Sequence, residues 1–183
     1  MKILCVIDVQ EDFIRGPLSN DETKAVLVKI ADKINNTSDD DYIIYTRDTH
    51  TASYLKSFEG KHLPIPHCLE NSAGWQVCPE ATAVFDNLGL TPAFIDKPTF
   101  GSFELLERLN QIMVIEEDVN YSDATVEFIG VCTDICIVSN ALMTRAAFPE
   151  INIVVDSSCC AGTSPEAHEA ALAVMRSCQI DVI

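Results

Sequence analysis

The stretch ATVEFIGVCTDICIVSNALMTRAAF, residues 124–148, changes character a third of the way along. Up to Val131 it is apolar and rich in β-branched and aromatic residues, the composition of a buried strand. From Thr133 onward it reads as a helix, with Ile135, Val138, Leu142 and Ala146 as its inner stripe. A strand that runs directly into a helix is half of a βαβ unit, and the alternation continues on both sides. KILCVID (residues 2–8), YIIYTRD (42–48) and AFID (93–96) read as earlier strands, and INIVVD (151–156) and QIDVI (179–183) as later ones. Helices are predicted after Asn20 or Asp21, where Ala25, Val28, Ile30 and Ile34 give an apolar face, and over FELLERLNQ (103–111). A further helix covers SPEAHEAALAVMRS (164–177), with Ser164 as cap, Pro165 at the first position and Glu166 in the first turn. The expected fold is a three-layer, doubly wound α/β domain: a six-stranded, mostly parallel sheet with helices on both faces. The run QIMVIEEDVNYS (111–122) fits an extension of the preceding helix or an extra hairpin. Residues 49–78 lack a sustained apolar period, and a loop of that length in a compact domain is expected to be functional.

The bulk properties narrow the function. A chain of 183 residues is read as one domain, 1–183, with a substantial core. Its 12 Lys and Arg stand against 28 Asp and Glu, a net charge of −16. Such a surface repels phosphate backbones and anionic bilayers, so neither nucleic acid nor membrane is expected as a partner. The N-terminal apolar run ILCVI is short and stops at Asp8, unlike a secretory leader, and no run approaches membrane-span length. Cys5 lies inside a strand, and Cys159 and Cys160 are adjacent. The eight cysteines therefore read as reduced thiols of a cytoplasmic protein, not as a disulfide framework.

In an open parallel sheet, ligands bind beyond the C-terminal strand ends. Asp8 ends the first strand, Lys97 follows the third and Cys136 opens the helix after the fourth. If the first and fourth strands are neighbours, the three converge. A thiol in the first turn of a helix feels the positive end of the dipole, and Lys97 would add to the stabilisation of a thiolate. Asp8 can take the thiol proton and return it to a leaving amine. Backbone N–H groups between Cys132 and Cys136 can hold an oxyanion. On pattern alone, the reading of Cys136 as a buried small hydrophobe prevails. A second group is Asp48, His50 and His67. The first two are two residues apart and project to one side of an extended segment, and His67 joins them if the loop folds back. One carboxylate and two imidazoles suit zinc, iron or manganese with positions left for water and substrate. An isolated Asp-x-His is more often a simple hydrogen-bonded pair or a solvated loop. His62 reads as an exposed loop residue, and His168, beside Glu166 and Glu169, as a solvated surface one.

Three motifs stand in register along the chain: DVQEDF (8–13), DKPTFGSF (96–103) and GVCTDICIVSNAL (130–142). In these the chain resembles the isochorismatase-like cysteine hydrolase superfamily, which includes nicotinamidases. The resemblance implies Asp8 as general acid/base, Lys97 as its cationic partner and Cys136 as nucleophile. It also implies a cis peptide before Cys132 and an oxyanion hole made by the N–H groups of Cys132 and Cys136. It further implies a divalent metal at Asp48, His50 and His67, with Glu59 as an added carboxylate. Zinc is foremost, iron and manganese are alternatives, and the ion binds a pyridine nitrogen and an ordered water. Tyr54 stands near the place where other members have a further His. Phe13 and Phe100 match aromatic positions of the pocket, and Trp75 in the long loop is a third substrate-binding candidate; ordinary core packing accounts equally well for each. The activity implied is cysteine-dependent hydrolysis of a small amide, nicotinamide to nicotinate plus ammonia through a thioester, in a homo-oligomer. A metal-free hydrolase of N-carbamoyl or ureido compounds is the second reading, and a catalytically silent binding protein on the same fold the third. Isochorismate ether hydrolysis fits less well, because those relatives do not rely on a nucleophilic Cys.

Overall fold

Central strands buried on both faces need apolar side chains at successive positions, and KILCVI meets that need. In the computed structural model, which describes all residues but 39, 90 and 116–123, this segment is β1 (Lys2–Ile7). It pairs with β2 (Tyr42–Asp48) on one side and β4 (Thr125–Val131) on the other. β3 (Ala93–Lys97), β5 (Asn152–Ala161) and β6 (Asp181–Val182) complete a sheet of order β3-β2-β1-β4-β5-β6, parallel at every pairing. Helices α1 (Glu11–Ile14), α2 (Asp21–Asn35), α3 (Phe58–His62), α4 (Pro79–Leu88), α5 (Phe103–Ile115), α6 (Val138–Ala147) and α7 (Pro165–Ser177) lie along the connections.

The sheet separates two apolar layers. Ile3, Cys5 and Ile7 of β1 point with Val126 and Phe128 of β4 into a layer closed by α5, α6 and α7. Leu4 and Val6 point into the other, with α1, α2 and α4. The chain moves outward from β1 to β3 with its helices on one face. It then crosses back to β4 and proceeds outward with its helices on the opposite face. The connections therefore diverge at the carboxyl ends of β1 and β4, which opens a crevice there.

Several local expectations are corrected. The buried stripe of α2 is Thr23, Val26, Leu27, Ile30 and Ile34, whereas Ala25 and Val28 face solvent. Asn20 caps this helix through a reciprocal pair with Thr23. Ile137, Asn140, Ala141 and Thr144 are the fully buried positions after β4; Ile135, Val138 and Leu142 of the expected stripe are half-buried and pack against the core, and Ala146 is exposed. A π-turn (Thr133–Ile137) precedes α6 and shifts the phase of the side chains. α4 forms where the sequence pattern predicts no element. α5 continues through Ile115, so the first part of the ambiguous 111–122 run is helical, and 116–122 lie outside the described residues. The Ser164 cap and Pro165 start of α7 stand as expected.

At Gly130 the β4 backbone runs close against β1. This glycine pairs with Ile7, has φ +123°, and a Cβ there would fall on the Ile7 backbone. Only glycine combines that conformation with that approach. Gly130→Ala should lower folding stability by about 2–4 kcal/mol. The expected readout is a reduced urea midpoint with an unchanged slope; an unchanged midpoint would contradict the packing described here.

Candidate active site

The crevice at the β1/β4 divergence holds the charged residues. Asp8, immediately after β1, adopts φ +50°, a left-handed conformation that Asp tolerates better than most residues. Its Oδ1 accepts from Thr46 Oγ1 at 2.6 Å, and its Oδ2 lies 2.6 Å from Lys97 Nζ. Lys97 ends β3, two strands away. Its side chain is 1% exposed and reaches Asp8, itself 0% exposed. The same ammonium donates to Thr99 O at 3.2 Å and to Cys136 Sγ at 3.4 Å, and lies 4.0 Å from Asp48 Oδ1.

Cys136 stands in the π-turn, whose preceding residue Cys132 follows a cis Val131–Cys132 peptide. Ile135 and Ile137 N–H both donate to Cys132 O, at 3.1 and 3.2 Å. The turn is pinned from outside. Asp134 accepts from the N–H and hydroxyl of Thr163, and Thr133 Oγ1 bonds His168 Nδ1 at 2.9 Å. His168 is therefore half-buried against the turn, not a freely solvated surface residue.

Burial raises the Asp8 carboxyl above the usual carboxylate range, against the pull of Lys97 and with the help of Asp48. Burial acts to lower Lys97, but Asp8, Cys136 and Asp48 outweigh it and hold the ammonium charged. Burial also raises the Cys136 thiol well above its ordinary value, and Lys97 offsets this only in part. The helix-dipole argument for a resting thiolate is thus outweighed by desolvation. The sulfur keeps its proton at rest, and the negative charge of Asp8 nearby helps to hold it there.

The second group assembles because the long loop folds back on β2. His50 N–H donates to Cys68 O, and Glu70 N–H to His50 O. Asp48, His50 and His67 place one ligand atom each within 4.8 Å of one another, all buried. His50 Nε2 lies 2.9 Å from Asp48 Oδ2, yet its direction makes no hydrogen bond with it, an orphaned buried nitrogen. His67 Nε2 lies 3.3 Å from the same oxygen, while its Nδ1–H donates to Ile65 O at 2.8 Å. That bond fixes the tautomer and leaves Nε2 a lone pair, as in metal-ligating imidazoles. Glu59 Oε1 stands 3.5 and 3.7 Å from the two Nε2 atoms. Burial lowers His50, but the Asp48 and Glu59 carboxylates beside it bring it up to about 9. Burial acts to raise Asp48, whereas the two imidazoles and Lys97 hold it well below the usual range. This donor set fits a divalent metal. Tyr54 packs its ring on both imidazoles and donates its hydroxyl to Leu63 O, so it shapes the site. His62 bonds Phe58 O and stays at the cavity rim, outside the trio.

A cavity of about 1260 Å³ joins the two groups. Asp48, His50, His67, Phe13, Phe100, Cys132 and Cys136 line it, while Asp8 and Lys97 lie buried behind the sulfur. Trp75 is not on this wall. Its indole N–H donates to Thr49 Oγ1 and the Arg47 guanidinium covers its ring at 3.7 Å, so it is a packing residue. Supporting residues that the sequence reading left without roles are Gln10, Asp12, Thr46 and Asn140. Gln10 and Asp12 lie inside the DVQEDF motif and Asn140 inside GVCTDICIVSNAL, and that membership is their signal in the sequence. Gln10 bonds Asp48 N, Asp48 O and Trp75 O, and Asp12 accepts from Cys68 N–H.

The family model for the Isochorismatase domain matches residues 2–183. The nicotinamidase of Schizosaccharomyces pombe is 26% identical over 211 residues, covering 98% of this chain and 91% of that protein. The solved pyrazinamidase/nicotinamidase of Streptococcus mutans superposes with a TM-score of 0.82 at 25% identity over the full length of both chains. The pyrazinamidase of Pyrococcus horikoshii, solved in complex with zinc, gives 0.77 at 23% identity, covering 100% of this chain and 98% of that one.

Protein incubated with zinc and desalted should retain about one ion per chain by elemental analysis. His50→Ala and His67→Ala should each bring that ratio close to zero, and Glu59→Ala should weaken retention by about 10–100-fold in affinity. Full retention in both His variants would place the ion elsewhere.

Proposed function

We propose, because the chain belongs to the isochorismatase domain family, that it is a hydrolase of a C–N bond that converts nicotinamide to nicotinate and ammonia through a thioester on Cys136. One observation carries this reading: the buried Asp8–Lys97–Cys136 cluster reaches, through its sulfur, the same cavity that the Asp48–His50–His67 trio lines. The relative from Schizosaccharomyces pombe, a nicotinamidase, supports the choice of amide.

In this reading the amide carbon is seated over Cys136. Asp8 takes the thiol proton and the sulfur attacks the carbonyl. The N–H groups of Cys132, just before the π-turn, and of Cys136, within it, hold the oxyanion that develops. Asp8 returns the proton to the departing nitrogen, and ammonia leaves a thioester on Cys136. Asp8 then takes a proton from an entering water, whose oxygen attacks the same carbon, and gives that proton back to the sulfur; the acid so released loses the water's other proton to solvent as nicotinate. Lys97, fixed at 2.6 Å from Asp8 and 3.4 Å from Cys136, offsets the negative charge whichever of them bears it. Phe13 and Phe100 offer aromatic surface to the ring from the cavity wall. A divalent ion held by Asp48, His50 and His67, with Glu59 beside them, would supply a Lewis-acid anchor for the pyridine nitrogen. The zinc complex of the Pyrococcus horikoshii protein favours zinc over iron or manganese. Eight free thiols, seven of them buried, support a reducing, cytoplasmic setting.

Ammonia release from nicotinamide by the metal-loaded protein tests the assignment. Cys136→Ala should reduce it by about 10⁴-fold or more, to background. Undiminished release in that variant would refute the thioester route, and no release by folded, metal-loaded wild type would move the substrate to another amide. The pH profile adds a sign. Asp8 must be ionised to act as base, and burial raises its pKa. Activity should therefore be lost on acidification with a midpoint above ~3.9, the ordinary Asp value. A midpoint at or below that value would exclude Asp8 as the base.

A further inference from the structure

We infer that Asn140 is a positioning residue, whose buried amide ties the segment following Lys97 to the nucleophile turn and so sets how Lys97, Phe100 and Cys136 face one another. The inference rests on the reading of Cys136 as nucleophile given above.

Asn140 lies on α6, one turn after Cys136, and is 1% exposed. Its neighbours Ile137 and Ala141 belong to the apolar layer beneath the sheet. A buried amide in such a layer is unfavourable unless its donors and acceptor are all met, and an apolar residue would serve the packing as well. Here they are met by two different parts of the chain. Oδ1 accepts from Ser102 N–H at 2.9 Å. The two Nδ2 hydrogens go to Phe100 O at 3.1 Å and to Cys136 O at 2.8 Å. One side chain thus holds the backbone of the nucleophile itself and the backbone of the 98–102 segment.

That segment carries the consequences. It begins at the residue after Lys97, and its Thr99 carbonyl accepts from Lys97 Nζ at 3.2 Å. Phe100 presents its ring to the cavity. Ser102 Oγ caps α5 by accepting from Leu105 N–H at 3.1 Å. Gly101 packs so close to α6 that a Cβ would meet Met143 Sδ. If the amide is lost, the partly buried Phe100 O and the buried Cys136 O each lose a donor. The ammonium's acceptor and the sulfur then lose their common anchor.

A purely structural role, support of the α5 cap, would need only the acceptor for Ser102 N–H. Asn140→Asp separates the two roles, because it keeps an oxygen for Ser102 and removes both donors. Asn140→Leu removes all three bonds. Ile153→Ala, a core cavity in β5 away from the site, serves as the control for lost stability. The readouts, on full-length metal-loaded protein, are the rate of Cys136 alkylation by iodoacetamide at fixed neutral pH, located by peptide mass spectrometry, and the kcat and KM of ammonia release. Asn140→Asp and Asn140→Leu should both slow alkylation and kcat by about tenfold or more, with a rise in KM from the displaced Phe100, while Ile153→Ala stays at wild-type values. Alkylation in Asn140→Asp equal to or faster than wild type overturns the inference, as does equal slowing in Ile153→Ala. Should Asn140→Leu fail to fold, Asn140→Asp alone decides. Wild type that is alkylated at Cys136 but inert toward nicotinamide would sink the substrate assignment, while the alkylation comparison would still judge Asn140.

Discussion

Lys97 carries its charge almost wholly out of solvent, and that charge is stable there because Asp8 stands 2.6 Å away with equally little access to water. Desolvating either ion alone costs several kcal/mol, and breaking such a pair by deleting one partner costs about 3–5 kcal/mol. Each residue therefore requires the other, and the requirement extends to the sheet. Lys97 ends β3 and Asp8 follows β1, with β2 between them. The pair forms only with Asp48 in register with Lys97 and Thr46 in register with Ile7. Thr46 then meets the carboxylate oxygen that Lys97 does not. The parallel register, the strand order and the ion pair are one constraint expressed at three levels.

The pair also shapes what the sulfur can do. At rest the cluster holds a carboxylate, an ammonium and a neutral thiol. Moving the thiol proton to Asp8 leaves a carboxylic acid, an ammonium and a thiolate, so the net charge of the buried group is unchanged. In a medium where charge separation is expensive, relocating a negative charge about a fixed cation costs far less than creating one. This reconciles a thiol that burial makes a poor acid with a role as nucleophile. In the proposed mechanism the activation resides in the fixed ammonium and the nearby carboxylate, not in a lowered resting pKa.

What was legible in the sequence follows from the same physics. Strands buried on both faces must be apolar throughout, so the polar residues at their ends stand out: Asp8, Asp48, Lys97 and the turn after Val131. The two-residue spacing of Asp48 and His50 put them on one side, and the fold-back that brings in His67 was conditional on a loop whose backbone pairing no local pattern encodes. The helix faces were less readable. In α2, Val26 and Leu27 displaced Ala25 and Val28 from the core, a rotation that rough apolar counting does not resolve. After β4 the buried face includes Asn140 and Thr144. Asn140 is turned inward by Ser102, 38 residues away, a partner invisible to any helical window. Trp75 and His168 are hard to read from local pattern for the same reason. Their settings are made by Arg47 and Thr49 in one case and by Thr133 in the other.

The six residues after β1 couple the two halves of the cavity. Asp8 belongs to the nucleophile's cluster. Gln10 grips both backbone polar groups of Asp48, and Asp12 holds Cys68, the neighbour of His67. Phe13 meets the His67 ring edge-on at 5.7 Å between centroids. Asp8, beside the sulfur, and the bonds that fix Asp48 and Cys68 are thus carried on one short, well-bonded segment, and Lys97 touches both groups through Asp8 and Asp48. In the proposed hydrolysis, a substrate that spans the cavity is gauged by a distance built into DVQEDF, not by the relative placement of separate loops. Catalysis by positioning tolerates errors of less than about 1 Å, and a single rigid segment meets that tolerance more readily than several mobile ones.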